Sequence, residues 1–400
     1  MKLSRISFLI LIFGLVTGCG KSSSSPVGSG IPPAAPANNV LSMTVGPNDL
    51  SGSYINEPCV SVTICTPGTT NCQTINDILV DTGSYGLRIF KQALSVPLTP
   101  VPTSSGLLAD LALYVDNSCD WGSVQMATVI LGNEPAVQVP IQVIDSTFAT
   151  VPIQCTAPDK SPSIDGFNGI LGVGLFAQDC GQGCTNSSSN GIYYSCSGSG
   201  TGSACTGTAV PLSSQVQNPV ALLPVDNNGV MVQLPGIPAG GSPSVNGSLV
   251  LGIGTQSNNV PSGVTAYPAD PQYGEFITTF NGTEYTGSFI DSGSDGLAFP
   301  SPSASQLPDC ASPNSDWFCP SSTVSLSATN TGYSGSPSGT VSFQIGNFDT
   351  LTSSSNNAFD DIGGPSGEFD WGLPFFFGRN VFVGLEGMGS SLGTGPYWAY

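Results

Sequence analysis

The chain has 400 residues, 7 Lys+Arg against 26 Asp+Glu, no His, and a formal net charge of −19, and only 8% of its residues are charged; about 25% is usual for soluble proteins. At roughly 100–200 residues per domain this length gives two lobes or one large domain. The missing imidazole excludes Ser-His-Asp and Cys-His hydrolases, His-Glu-x-x-His metalloproteases and imidazole-bound haem, and the scarcity of Lys and Arg argues against nucleic acid and against electrostatic docking on anionic lipid. Acid–base work falls to carboxylates.

Residues 1–18 read as a signal peptide: Lys2 and Arg5 precede an apolar run over 6–16, too short for a bilayer, which takes about 20 residues. Val16-Thr17-Gly18-Cys19 is similar to a bacterial lipobox, and that resemblance implies cleavage before Cys19 and a lipid on its thiol. Gly20, in place of an Asp, implies by similarity to Gram-negative lipoproteins an outer-membrane address, with the lipid as the chain's one membrane contact. Residues 19–45 are rich in Ser, Pro, Gly and Ala, with too little to bury and enough proline to extend; they are expected to be a tether.

Beyond the tether, short apolar alternations bounded by Gly, Pro and Asn recur at 60–64, 124–131, 137–144, 230–234, 249–253 and 341–345. Such alternation predicts strands. Residues 275–280, Asn281-Gly282 and 283–289 predict a hairpin, since Asn-Gly accepts the positive φ angles of a two-residue turn. The expected fold class is all-β, with an N-terminal lobe over 46–235 and a C-terminal lobe over 236–400. The Gly/Ser/Cys-rich stretch 180–210 reads as an insertion on the surface, outside the core.

Apart from Cys19 there are eleven cysteines, which an exported chain oxidises. Local spacing pairs Cys65 with Cys72 and Cys310 with Cys319, and puts two bridges among Cys180, Cys184, Cys196 and Cys205. Elimination then joins Cys119 to Cys155 and leaves Cys59 over. A four-thiolate zinc site in the 180–205 cluster has the right ligand count but loose spacing. No metal or cofactor is expected.

One internal repeat carries chemistry. Ile78-Leu79-Val80-Asp81-Thr82-Gly83-Ser84-Tyr85-Gly86-Leu87 matches Ser288-Phe289-Ile290-Asp291-Ser292-Gly293-Ser294-Asp295-Gly296-Leu297, and at similar distances downstream Gly169-Ile170-Leu171-Gly172 is echoed by Phe375-Phe376-Phe377-Gly378. A carboxylate ending a buried strand is held by the following turn, and Gly83 and Gly293, lacking Cβ, let two such loops approach each other. Thr82 and Ser292 can bond across to the opposite loop, and Ser84 and Ser294 can donate to the outer carboxylate oxygens. Two carboxylates about 3 Å apart cannot both ionise, so the pair carries one proton over an acidic range.

On these motifs the chain resembles the pepsin-like aspartic peptidases across residues 55–390. It is also similar, through 374–380, 252–256 and 395–400, to a bacterial family of lipoproteins with paired Asp-Thr/Ser-Gly-Ser motifs. The first resemblance implies a bilobal fold of two β-barrel-like lobes, a cleft between them, and peptide hydrolysis by water activated between Asp81 and Asp291. Trp121-Gly122-Ser123 stands where that family carries a flap and is the flap candidate. Asp295, next to the second loop, is expected to face solvent, and Arg379 to pair either with a buried carboxylate or at the surface. Expected partners are a polypeptide substrate or ligand and no nucleic acid, with the protein a monomer. The leading reading is a lipid-anchored, acid-active endopeptidase. The alternatives are a non-catalytic lipoprotein binding peptide or glycan in the same cleft, and a glycosidase whose carboxylates stand roughly 5–9.5 Å apart.

Overall fold

The computed structural model describes residues 31–303 and 306–400. The expected signal peptide, Cys19 and the first part of the expected tether, residues 19–30, lie outside the described residues.

The fold is all-β. A sheet of 17 strands and a sheet of 7 strands carry the chain, with a short two-stranded ribbon; the helical segments are single turns between strands. Alternation sets the strands where expected: Pro58–Cys65, Ser118–Leu131, Val137–Ile144, Gly229–Leu234, Val245–Leu251 and Ser338–Ile345 each contain or overlap a predicted run. The Asn-Gly hairpin forms as read. Phe276–Phe280 and Thr283–Ile290 pair antiparallel around Asn281 and Gly282, with φ of 51° and 80°.

Three expectations are corrected. The tether ends earlier than residue 45, because Val40–Val45 is a strand paired along its whole length with Val245–Leu251; its alternating Leu41, Met43 and Val45 are buried, which a flexible leash could not be. The 180–210 stretch is built into the body: Tyr193–Cys196 pairs with Leu107–Leu113, and Cys184, Tyr193 and Cys196 are fully buried. The Tyr193 hydroxyl explains the anchoring, since it donates to Asp179 Oδ1 at 2.6 Å and accepts from the Val216 amide at 2.6 Å.

The third correction concerns the repeat. In the first sheet, Gly169–Val173 runs parallel to Cys72–Asp81, placing Gly172 opposite Asp81, and antiparallel to Tyr85–Phe90. In the second, the strand with these two relations is Asp370–Trp371, parallel to Thr283–Ile290 and antiparallel to Leu297–Phe299. The echo of Gly169-Ile170-Leu171-Gly172 is therefore Phe369-Asp370-Trp371-Gly372. Phe375 and Phe376 instead end a 3-10 turn, Leu373–Phe376, from which Phe377-Gly378 lead into Arg379–Gly384 of the larger sheet.

Five disulfides close Cys65–Cys72, Cys119–Cys155, Cys180–Cys184, Cys196–Cys205 and Cys310–Cys319, and Cys59 is free. The pairing within the 180–205 cluster removes the thiolates a zinc site would need. Five bridges indicate an oxidising, exported environment. Among the described residues no helix is long and apolar enough to cross a membrane. The main apolar core joins both sheets, with Val80, Leu171, Ile290 and Trp371 in one cluster.

Candidate active site

The strand Cys72–Asp81 ends on Asp81, and Asp291 follows directly on Thr283–Ile290. Each lies at the end of buried apolar residues, Leu79-Val80 and Ile290, which fix where the turn begins. The two turns lock together by reciprocal hydrogen bonds. Thr82 Oγ1 donates to the Ile290 carbonyl at 2.8 Å and accepts from the Ser292 amide at 2.9 Å. Ser292 Oγ does the same in reverse, donating to the Val80 carbonyl at 2.6 Å and accepting from the Thr82 amide at 3.2 Å. All four partners are buried, so each bond is made where water cannot replace it.

This lock sets each carboxyl group against the glycine of the opposite loop and makes the two carboxyl groups neighbours, so that Asp81 raises Asp291. Gly83 and Gly293 are required: a Cβ at Gly83 would sit 2.6 Å from Asp291 Cγ, and one at Gly293 2.9 Å from Asp81 Cγ. Asp81 Oδ1 accepts from the Gly83 and Ser84 amides at 2.7 and 3.2 Å. Asp291 Oδ1 accepts from the Gly293 amide at 2.7 Å, and Ser294 Oγ lies 2.8 Å from its Oδ2. Burial, then the neighbouring Asp81 and Asp370, hold Asp291 well above the usual carboxylate range. Of the two serines expected to serve the carboxylates, Ser294 does so by its hydroxyl and Ser84 by its amide; Ser84 Oγ is buried without a partner among the described residues.

Above the pair lies a cavity of about 820 Å³ lined by both loops, by Leu113, Tyr114 and Val115 on one side, and by Tyr273 and Trp398 on another. Trp121, Gly122 and Ser123 do not line it. Trp121 is fully buried in an edge-on contact with Tyr194, 5.5 Å between ring centres, because it lies on the return strand of a hairpin whose turn is residues 114–117. The Asn117 amide bonds the Tyr114 carbonyl, Asn117 has a φ of 70°, and Tyr114 donates to Asp120 Oδ2 at 2.8 Å. The overhanging element is thus that turn, with Val115 75% exposed. The Val115-Asp116-Asn117 sequence carried the turn signal.

Asp295 also lines the cavity, contrary to expectation; burial pushes it up to about 7. Arg88 is 3% exposed and faces Asp110 at 3.4 Å and Asp179 at 3.2 Å. It ties the strand after the first loop to the hairpin base. Arg379 makes no ion pair among the described residues: it donates to the Phe375 carbonyl at 2.5 Å and stacks 4.5 Å over that ring, in a smaller cavity of about 250 Å³ away from the pair.

Residues 35–400 match the family model described as Protein of unknown function (DUF3443). The chain belongs to the DUF3443 family. No curated protein matches it. Within this DUF3443 chain, the paired loops and the cavity above them fall inside the matched residues.

Proposed function

We propose that the protein is an aspartic-type endopeptidase of pepsin-like, bilobal build, held at the outer membrane by a lipid on Cys19, and that it hydrolyses extended polypeptide with water activated between Asp81 and Asp291. One observation carries this reading: the reciprocal bonds between Thr82 and Ser292 press the two carboxyl groups together at the floor of the cavity. A pair in contact holds one proton between them. Its ionised member draws a proton from water while its protonated member polarises the scissile carbonyl, so no covalent intermediate is needed. The flanking apolar residues Leu113, Val115 and Tyr273, all more than half exposed, offer side-chain contacts to an unfolded chain.

The deciding assay is cleavage of denatured protein at pH 3–5, with and without pepstatin. Asp81→Asn should lower kcat by at least about 10⁴-fold while leaving the melting temperature near that of the parent. Wild-type protein that cleaves nothing but still binds peptide would favour the non-catalytic alternative.

A further inference from the structure

Ser294 Oγ lies between two carboxyl groups, 2.8 Å from Asp291 Oδ2 and 2.6 Å from Asp370 Oδ2. A hydroxyl has a single hydrogen and can satisfy only one of them. The other contact, between oxygens at hydrogen-bond distance, holds only if a carboxyl group supplies the second hydrogen. Asp370 is the group placed to do so. It is 6% exposed, and among the described residues its Oδ1 has no partner and no Lys or Arg is paired with it. The titratable groups around it are all acids: Asp291 through Ser294, Asp81 and Asp295. In the first half the matching position is Ile170, so the arrangement exists on one side only.

We propose that Asp370 is a positioning residue that works as a neutral carboxylic acid, donating its hydrogen to Ser294 Oγ so that the Ser294 hydrogen is turned onto Asp291. Ionisation of Asp370 would reverse the relay: Ser294 would donate to Asp370, and Asp291 would lose a donor and gain a negative neighbour. Burial pushes Asp370 up to about 8, the Ser294 bond opposes this, and Asp81 and then Asp295 reinforce it. The relay therefore stays in its Asp291-directed form throughout the acid range. The two halves of the site are unequal as a result, since among the described residues Asp81 has backbone donors alone and Asp291 has a side-chain donor oriented by a proton held outside the pair.

The kinetic side of this inference rests on the hydrolytic reading of the pair; the placement of the proton does not. Infrared difference spectroscopy at pH 6, where ordinary carboxyl groups are ionised, reads the proton directly. Wild type minus Asp370→Asn should show a lost neutral-carboxyl C=O stretch, and Ser294→Ala should move that band to higher frequency as its bond to Oγ disappears. A lost carboxylate band, with the neutral-carboxyl region unchanged in both variants, overturns the proposal whatever the cleavage assay gives. In an active enzyme Asp370→Ala should lower kcat at pH 4 by at least about tenfold with KM little changed. Asp370→Asn, whose amide also donates to Oγ, should recover most of that loss; equal losses in both variants overturn the proposal. Protein without peptidase activity but with the neutral Asp370 band would sink the hydrolytic reading and leave the proton assignment standing.

Discussion

Ser292 shows how much of the site rests on single hydroxyl groups. It is fully buried and bridges the Val80 carbonyl and the Thr82 amide. Ser292→Ala leaves both without their partner, at about 1–3 kcal/mol for a buried group left unmet. Urea denaturation should show that loss together with a fall in activity, because the same bonds press Asp81 and Asp291 together. The residues of this lock were readable in advance, since Thr82 and Ser292 stand at equal places in a repeated motif and a repeat predicts symmetric bonding. Asp370 was not readable, because it puts an acid where the first half has Ile170 and so broke the very similarity used to find the second half of the repeat. The run of three phenylalanines ending at Gly378 kept that similarity and was the wrong segment.

At the scale of elements, the hairpin of Leu107–Leu113 and Ser118–Leu131 separates packing from overhang. Trp121 packs among Ala109, Leu111, Phe148 and the Cys119–Cys155 bridge, so Trp121→Ala should cost about 3–5 kcal/mol of stability in chemical denaturation. Val115 at the turn buries little, and Val115→Ser should leave the denaturation midpoint in place and raise KM for an extended peptide about twofold to tenfold. The opposite pattern, with Trp121 governing KM, would restore the original flap assignment. The family's flap position falls on this hairpin, but which of its residues face in follows from the pairing of Leu111 with Trp121. The burial of Arg88 against Asp110 and Asp179 likewise follows from strands brought together from across the chain.

For the whole molecule, charge and burial together set the pH dependence of stability. Burial is the leading cause that pushes Asp120, Asp179 and Asp360 up to about 6, Glu57 and Asp295 to about 7, Asp370 to about 8 and Asp159 to about 9. Unfolded, these carboxyl groups return to about 4, so between pH 4 and those values the folded chain binds more protons than the unfolded one. Their contribution is fully present below about pH 4 and is lost as pH rises through 6 to 9. Asp145 opposes this in part: burial raises it, but its bonds from Lys91 and Thr147 hold it below the usual range. The melting temperature should therefore rise from pH 8 to pH 5, and a flat or falling profile would contradict the burial seen here. The folded arrangement places the effect in buried carboxyl groups, Asp291 and Asp110 among them.

The larger sheet is interleaved across the sequence. Val40–Val45 from the beginning of the described chain lies on Val245–Leu251, and Gly229–Leu234 lies between that strand and Arg379–Gly384 near the end. A cut at the boundary between residues 235 and 236 would leave the smaller sheet whole but split the larger one, so that each piece would expose raw edges that only the other covers. Gene fragments encoding the two pieces should yield soluble product when expressed together and aggregates when expressed apart.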